Sequence, residues 1–180
     1  MASTNGGTYD CKPRYESMAS ANSLFHASTA VAGVAPGTAL STTPPMVLWN
    51  PPASGKMAAI VRVRITYLSG TLGAGSVVYA RADQITVPSG GTELVPISGA
   101  LQALSGTIRA FQGSTLTNTP IIVAPAFTLT AAPSISPGQD EIAGELCILP
   151  GQAFAIQAIA AAGTTPLVLI GASWFEDVYS

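Results

Sequence analysis

The stretch Met57 to Ser69 constrains the fold more than any other part of the chain. Val61, Val63, Ile65 and Tyr67 alternate there with Arg62, Arg64, Thr66 and Leu68. A period of two gives an extended strand one face for a core and one outward face, here bearing two arginines. Similar short apolar runs, separated by Gly, Pro, Ser and Thr, continue from Ser23 onward, so the chain reads as all-β. No repeat of 20 to 50 residues is visible, which argues against a propeller or solenoid.

Strands are expected at Leu24 to Ala32, Met46 to Trp49, Met57 to Ser69, Ser76 to Ala82, Thr92 to Ile97 and Gly106 to Gln112. Four more are expected at Ile121 to Thr130, Ile142 to Leu149, Gln152 to Ile159 and Leu167 to Val178. The second to fourth suggest an antiparallel meander, with Ser69 to Gly75 as a hairpin loop. Pro150-Gly151 suits a type II turn, because Pro fixes the first central position and Gly supplies positive φ at the second, so a hairpin is expected around it. Gly113 to Thr119 and Ala131 to Gln139 read as loop tips. Nine or ten strands of this length suit a two-sheet antiparallel sandwich of the jelly-roll type, with an immunoglobulin-like sandwich or a partly open barrel as alternatives.

Composition narrows the function. Only 9% of the 180 residues are charged while 48% are hydrophobic, against roughly 25% charged in an ordinary soluble domain. Seven basic residues and a net charge of -2 offer no footprint for a phosphate backbone, so nucleic acid is not an expected partner. The apolar runs fall short of about 18 residues, so no membrane-spanning helix is expected. Met1 to Ser17 has no basic region followed by an apolar core, which implies cytoplasmic synthesis. Cys11 and Cys147 are then reduced thiols, the first in an arm and the second a small core residue.

Residues 1–21 differ from the rest. Asp10, Lys12, Arg14 and Glu16 bring both signs of charge there, interleaved with Tyr9 and Tyr15. Such a segment is either a solvated tail or an arm that becomes ordered on a partner. The sandwich domain is then expected over 22–180.

Reactive constellations are missing from the text. His26 is the single histidine, no Gly-x-Ser-x-Gly elbow accompanies it, and it reads as a hydrogen-bonded sheet residue. One His and two distant Cys do not make a metal-ligand set, and Ser69 to Gly75 lacks the Lys-Ser/Thr ending of a phosphate loop. Asp140, Glu141 and Glu145 could offer oxygens to calcium, but without the loop pattern that such a site needs, they read as a solvated loop mouth. No enzyme activity, no cofactor and no metal are expected. Arg62 and Arg64, with Arg81 and Arg109, read either as solvent-facing guards of their strands or as interface anchors. Trp49 and Trp174 read as core residues, with a carbohydrate platform as the sharper alternative.

Two stretches carry a resemblance. Leu48-Trp49-Asn50-Pro51-Pro52-Ala53-Ser54-Gly55-Lys56, leading through Val61-Arg62-Val63 to Ser69-Gly70-Thr71-Leu72-Gly73-Ala74-Gly75-Ser76, resembles virion structural proteins of tailed bacteriophages. Leu149-Pro150-Gly151-Gln152 and Ala162-Gly163-Thr164-Thr165-Pro166-Leu167 to Trp174 are similar to the same group. The resemblance implies jelly-roll modules that trimerise and decorate or cement the capsid, or that form head fibres and tail tips. Its motifs are architectural, and no functional residue comes with it.

The low charge agrees with assembly, since large weakly polar surfaces usually mark interaction sites. The expectation is a homotrimeric capsid decoration protein on the virion surface, made in the host cytoplasm, whose partner is the major capsid protein. Tyr9, Lys12, Arg14 and Tyr15 in the arm, with Arg62 and Arg64, are the expected interface residues. The alternative is a head-fibre or tail-tip protein that recognises a host glycan through loops such as Gly113 to Thr119.

Overall fold

The structure, a computed structural model, describes Glu16, Met18, Ala19 and residues 21–101, 106–131 and 138–179. Tyr9, Cys11, Lys12, Arg14 and Tyr15 lie outside the described residues, as does most of the expected arm. The strands are β1 (Leu24–Ser28), β2 (Met46–Asn50), β3 (Lys56–Ser69), β4 (Gly75–Asp83), β5 (Thr92–Leu94) and β6 (Ile97–Ser98). They continue as β7 (Arg109–Gln112), β8 (Ile121–Leu129), β9 (Gly138–Glu141), β10 (Cys147–Ile148), β11 (Gln152–Ile159) and β12 (Leu167–Val178).

Two antiparallel sheets pack face to face. Sheet I has the order β10-β3-β12-β1-β6, with β9 also on β3, and sheet II has β5-β7-β2-β11-β4-β8. Pairing is nested: β1 with β12, β2 with β11, β3 with β9 and β10, β4 with β8. First strand on last and second on penultimate is jelly-roll wrapping. The segment between β4 and β8 is an insertion, whose β7 and β5 extend sheet II and whose β6 extends sheet I.

This wrapping overturns the expected meander. β2 and β4 belong to sheet II and β3 to sheet I, so Ser69 to Gly75 is a crossover between sheets and not a hairpin loop. Pro150-Gly151 does form the expected turn, with Gly151 at φ 79° and Gln152 N donating to Leu149 O at 3.1 Å. It joins β10 in sheet I to β11 in sheet II, so the turn is right and the hairpin is not. Turn chemistry fixes the local reversal without choosing the strand partner. The Thr92 to Ile97 run also divides between sheets, with Pro96, which has no N–H to give a ladder, between β5 and β6.

The alternation expected in β3 holds from Arg62 to Thr66, but a register shift against Ser173 and Trp174 skips Val61, so Ile60 and not Val61 joins the main core. Val63 and Ile65 are buried and Arg64 and Thr66 exposed, with Arg62 half-buried, in the pattern of a strand with one core face. The main core joins Phe25, Ile60, Val63, Ile65, Ile170 and Trp174 of sheet I to Met46, Leu48, Val77, Tyr79, Phe154 and Ile156 of sheet II. β2 and β11 are buried on both faces, which is why their sequences run apolar without alternation. Their outer side chains, Val47, Trp49, Ala153 and Ala155, form a second cluster with Ala80, Phe111 and Leu116. Gly113 to Thr119 closes that cluster instead of standing out as a tip: Leu116 is buried, its N–H bonds Thr42 O at 2.7 Å, and Ser89 and Thr115 exchange both backbone bonds.

The Gly-rich crossover after β3 lies against the crossover between β11 and β12. Thr71 N donates to Thr164 O at 3.0 Å, and Thr164 N donates to Thr71 Oγ1 at 2.7 Å. Backbone approaches backbone so closely that a Cβ on Gly73 would meet Ala162 O at 1.9 Å, and one on Gly163 would meet Thr71 O at 1.9 Å. The two stretches that carry the phage-protein resemblance therefore include the two halves of one clasp.

Candidate functional site

Period-two geometry sends one side of sheet I outward, and cross-strand register sets its rows. Ile97, His26, Ser173, Arg62 and Glu141 stand in one row across β6, β1, β12, β3 and β9. Ser28, Gly171, Arg64 and Gln139 form the next row, and Leu169 opposite Thr66 the one after. Small residues at 171 and 173 on the middle strand leave a hollow of about 540 Å³, flanked by Arg64 and Thr66 on one side and by His26 and Ser28 on the other. Val95 and Ile97 also line it.

Both expected arginines reach this face. Arg62 Nη2 pairs with Glu141 at 3.2 Å, while its buried Nε has no acceptor among the described residues. Arg64 Nε donates to Gln139 Oε1 at 3.1 Å, and the residue is exposed. Asp140 faces the other way and accepts from Tyr79 OH at 3.0 Å. Burial first, and then the Asp140 carboxylate, raise the Tyr79 pKa. Asp140 and Glu141 are thus engaged in holding β9 to the sandwich, and Glu145 is exposed. Among the described residues no group of His, Cys, Asp and Glu is placed to hold a metal ion, and no helix is long and apolar enough to cross a membrane.

His26 is a hydrogen-bonded sheet residue, as its sequence context suggested: Nδ1 lies 2.8 Å from Ser173 Oγ. A serine within reach of an imidazole resembles a nucleophile and its base. Burial, then the positive charges of Arg64 and Arg62, hold the imidazole below its ordinary pKa of 6.5, which favours its neutral form.

The same shift predicts how stability depends on pH. The unfolded chain takes up a proton at His26 more readily than the folded one, so the contribution of this residue is complete above about pH 6.5 and falls as the pH drops from there through the lower folded pKa. Urea denaturation at about pH 7 and pH 5 should show a smaller loss of stability for His26→Gln than for the parent chain. Equal losses would show that the imidazole is not held neutral.

The remaining candidates fall elsewhere. Arg109 sits on the outer face of sheet II, bonded to Glu93 through Nε and Nη2 at 2.6 Å each, and stacked 5.5 Å from the Trp49 ring and 5.1 Å from Phe111. Arg81 pairs with Asp83. Trp174 and Trp49 are both buried, as packing residues should be. Cys147 is exposed and not a core residue, because alternation in β10 turns Ile148 inward and Cys147 outward. A second hollow of about 780 Å³ lies beside sheet II, lined by neutral groups such as Ser41, Thr43, Gln112 and Gln157. Ser173 and Gly171 were not singled out by sequence reading, since their importance comes from strands that pair across most of the chain. No protein-family model, no curated protein and no solved structure matches this chain.

Proposed function

We propose that this chain is a structural virion protein of a tailed bacteriophage, a homotrimer that decorates and stabilises the head, with residues 1–21 binding the major capsid protein. The resemblance in the two crossover stretches supports this reading, and the observation that carries it is the start of β8. This strand ends sheet II, and Ile121, Ile122 and Val123 in succession are 70%, 43% and 44% exposed. No residue of β8 is charged, although soluble monomers commonly guard an edge of this length with Lys or another charge. A neutral apolar edge favours a second copy of the same neutral chain over a charged partner.

Other features of β8 limit that association. Register shifts leave Val123 and Ala126 without partners in β4, and Pro125 has no N–H to offer. Bulges and proline hinder open-ended strand addition, so contact through side chains in a closed ring fits better than a growing sheet. The alternative, a fibre or tail-tip protein that reads a glycan through Gly113 to Thr119, has less support because that loop is tied down on sheet II.

Sedimentation of the purified chain at micromolar concentration should give a trimer. Ile121→Lys, at an exposed position that costs the fold little, should weaken association at least 100-fold and give a folded monomer. A parent chain that stays monomeric would overturn the trimer. Adding the protein to heads that lack it should slow their disruption by heat, and deleting residues 1–20 should abolish head binding; unchanged binding would refute the role of the arm.

A further inference from the structure

The hollow on the outer face of sheet I has a chemistry that the decoration role does not use. Its floor is made of small residues, Gly171 and Ser173, and a guanidinium, an imidazole and hydroxyls stand around it. Arg64 is exposed and is engaged by Gln139 through Nε, which leaves its terminal nitrogens as the positive end of the hollow. Arg62 adds a second positive charge in the adjoining row, offset by Glu141. A lone negative group entering the hollow therefore meets Arg64 first.

We propose that this hollow binds a carboxylate carried on a sugar ring, as in a uronic acid residue at the end of an acidic saccharide. The carboxylate pairs with Arg64, whose planar fork suits a two-oxygen partner. The ring lies over Gly171, its hydroxyls within the reach of Ser28, Thr66 and His26, and Val95, Ile97 and Leu169 cover its less polar side. The volume lies within the range of small-molecule sites. With Nδ1 engaged by Ser173, His26 presents Nε2, a donor or an acceptor according to the tautomer, and a hydroxyl group suits either. An acidic peptide would fill the charge requirement but would leave the hydroxyls of Ser28 and Thr66 around the floor unmatched. The inference does not rest on the virion role, because the hollow is complete within one chain.

Amide and imidazole NMR spectra of the full-length protein, titrated with sodium glucuronate, test it directly. Saturable shifts are expected at Gly171, Ser173 and the His26 ring, with no such shifts from glucose at equal concentration. Arg64→Ala should weaken binding at least tenfold. Gly171→Leu should do the same by filling the hollow, and the sheet has room for it: a Cβ there meets Ala27 O at an ordinary 3.7 Å, with nothing closer. Both variants should keep the remaining spectrum. The proposal is overturned if glucuronate gives no saturable shift, or if Gly171→Leu binds it as the parent does. It is equally overturned if sodium sulfate or triglutamate matches glucuronate, the first outcome indicating a generic anion and the second a protein partner.

Discussion

Trp174→Ala is expected to lower the stability of the sandwich by about 3–5 kcal/mol, the cost of emptying a large buried aromatic site. Trp174 is fully buried in β12 and stacks on Phe25, ring centres 6.0 Å apart at 25°. Its Nε1 also donates to Glu176 Oε1 at 3.2 Å. That carboxylate accepts from Thr107 N at 2.8 Å and Ile108 N at 3.0 Å, so the indole supports a group that in turn holds the segment before β7. The melting temperature should fall by on the order of 10 °C for a chain of this size. Urea titration at fixed protein concentration, needed because association would shift the midpoint, measures the loss. Trp174→Phe should recover most of it, and a loss below about 1 kcal/mol would mean that the site collapses around the smaller side chain.

The clasp between the two crossovers gives a prediction of similar size. Gly163→Val places a Cβ where Thr71 O lies 1.9 Å away, and Gly73→Val does the same against Ala162 O. Neither glycine has a positive φ, so the cost is one of space and not of backbone conformation. Each substitution must push the two loops apart and break the bonds between Thr71 and Thr164. A loss of about 3 kcal/mol is expected for either, at the upper end of overpacking. Because both are relieved by the same separation, the double variant should lose clearly less than the sum, a coupling of at least about 1 kcal/mol in a double-mutant cycle. Additive losses would show that the loops yield independently.

Period-two patterning made the faces legible. It placed Arg62 and Arg64 outward and Val63 and Ile65 inward, because alternation is a local property of one strand. Strand partners were not legible in the same way. A meander and a hairpin are the cheapest pairings to infer from neighbours in sequence, whereas this chain sends β2, β3 and β4 to alternate sheets. β9 was hidden for another reason: Gly-Gln-Asp-Glu has no apolar face, and it is held by Arg62, Arg64 and Tyr79 from other strands. The hollow shares that limitation. His26 and Ser173 meet because β1 pairs with β12, a register written in neither segment alone.

The nested pairing also has a consequence for synthesis. β12 lies in the middle of sheet I, between β3 and β1, yet it is the last of the described strands to leave the ribosome. Leu24 waits for Phe175, which at usual elongation rates means on the order of ten seconds or more of exposure for β1. During that interval Phe25 has no indole to stack on and β3 lacks the neighbour along its whole length. Nascent chains stalled before Leu167 should therefore be captured by chaperones and cut readily by proteases, while sheet II, complete once β11 emerges, becomes the first part to resist digestion.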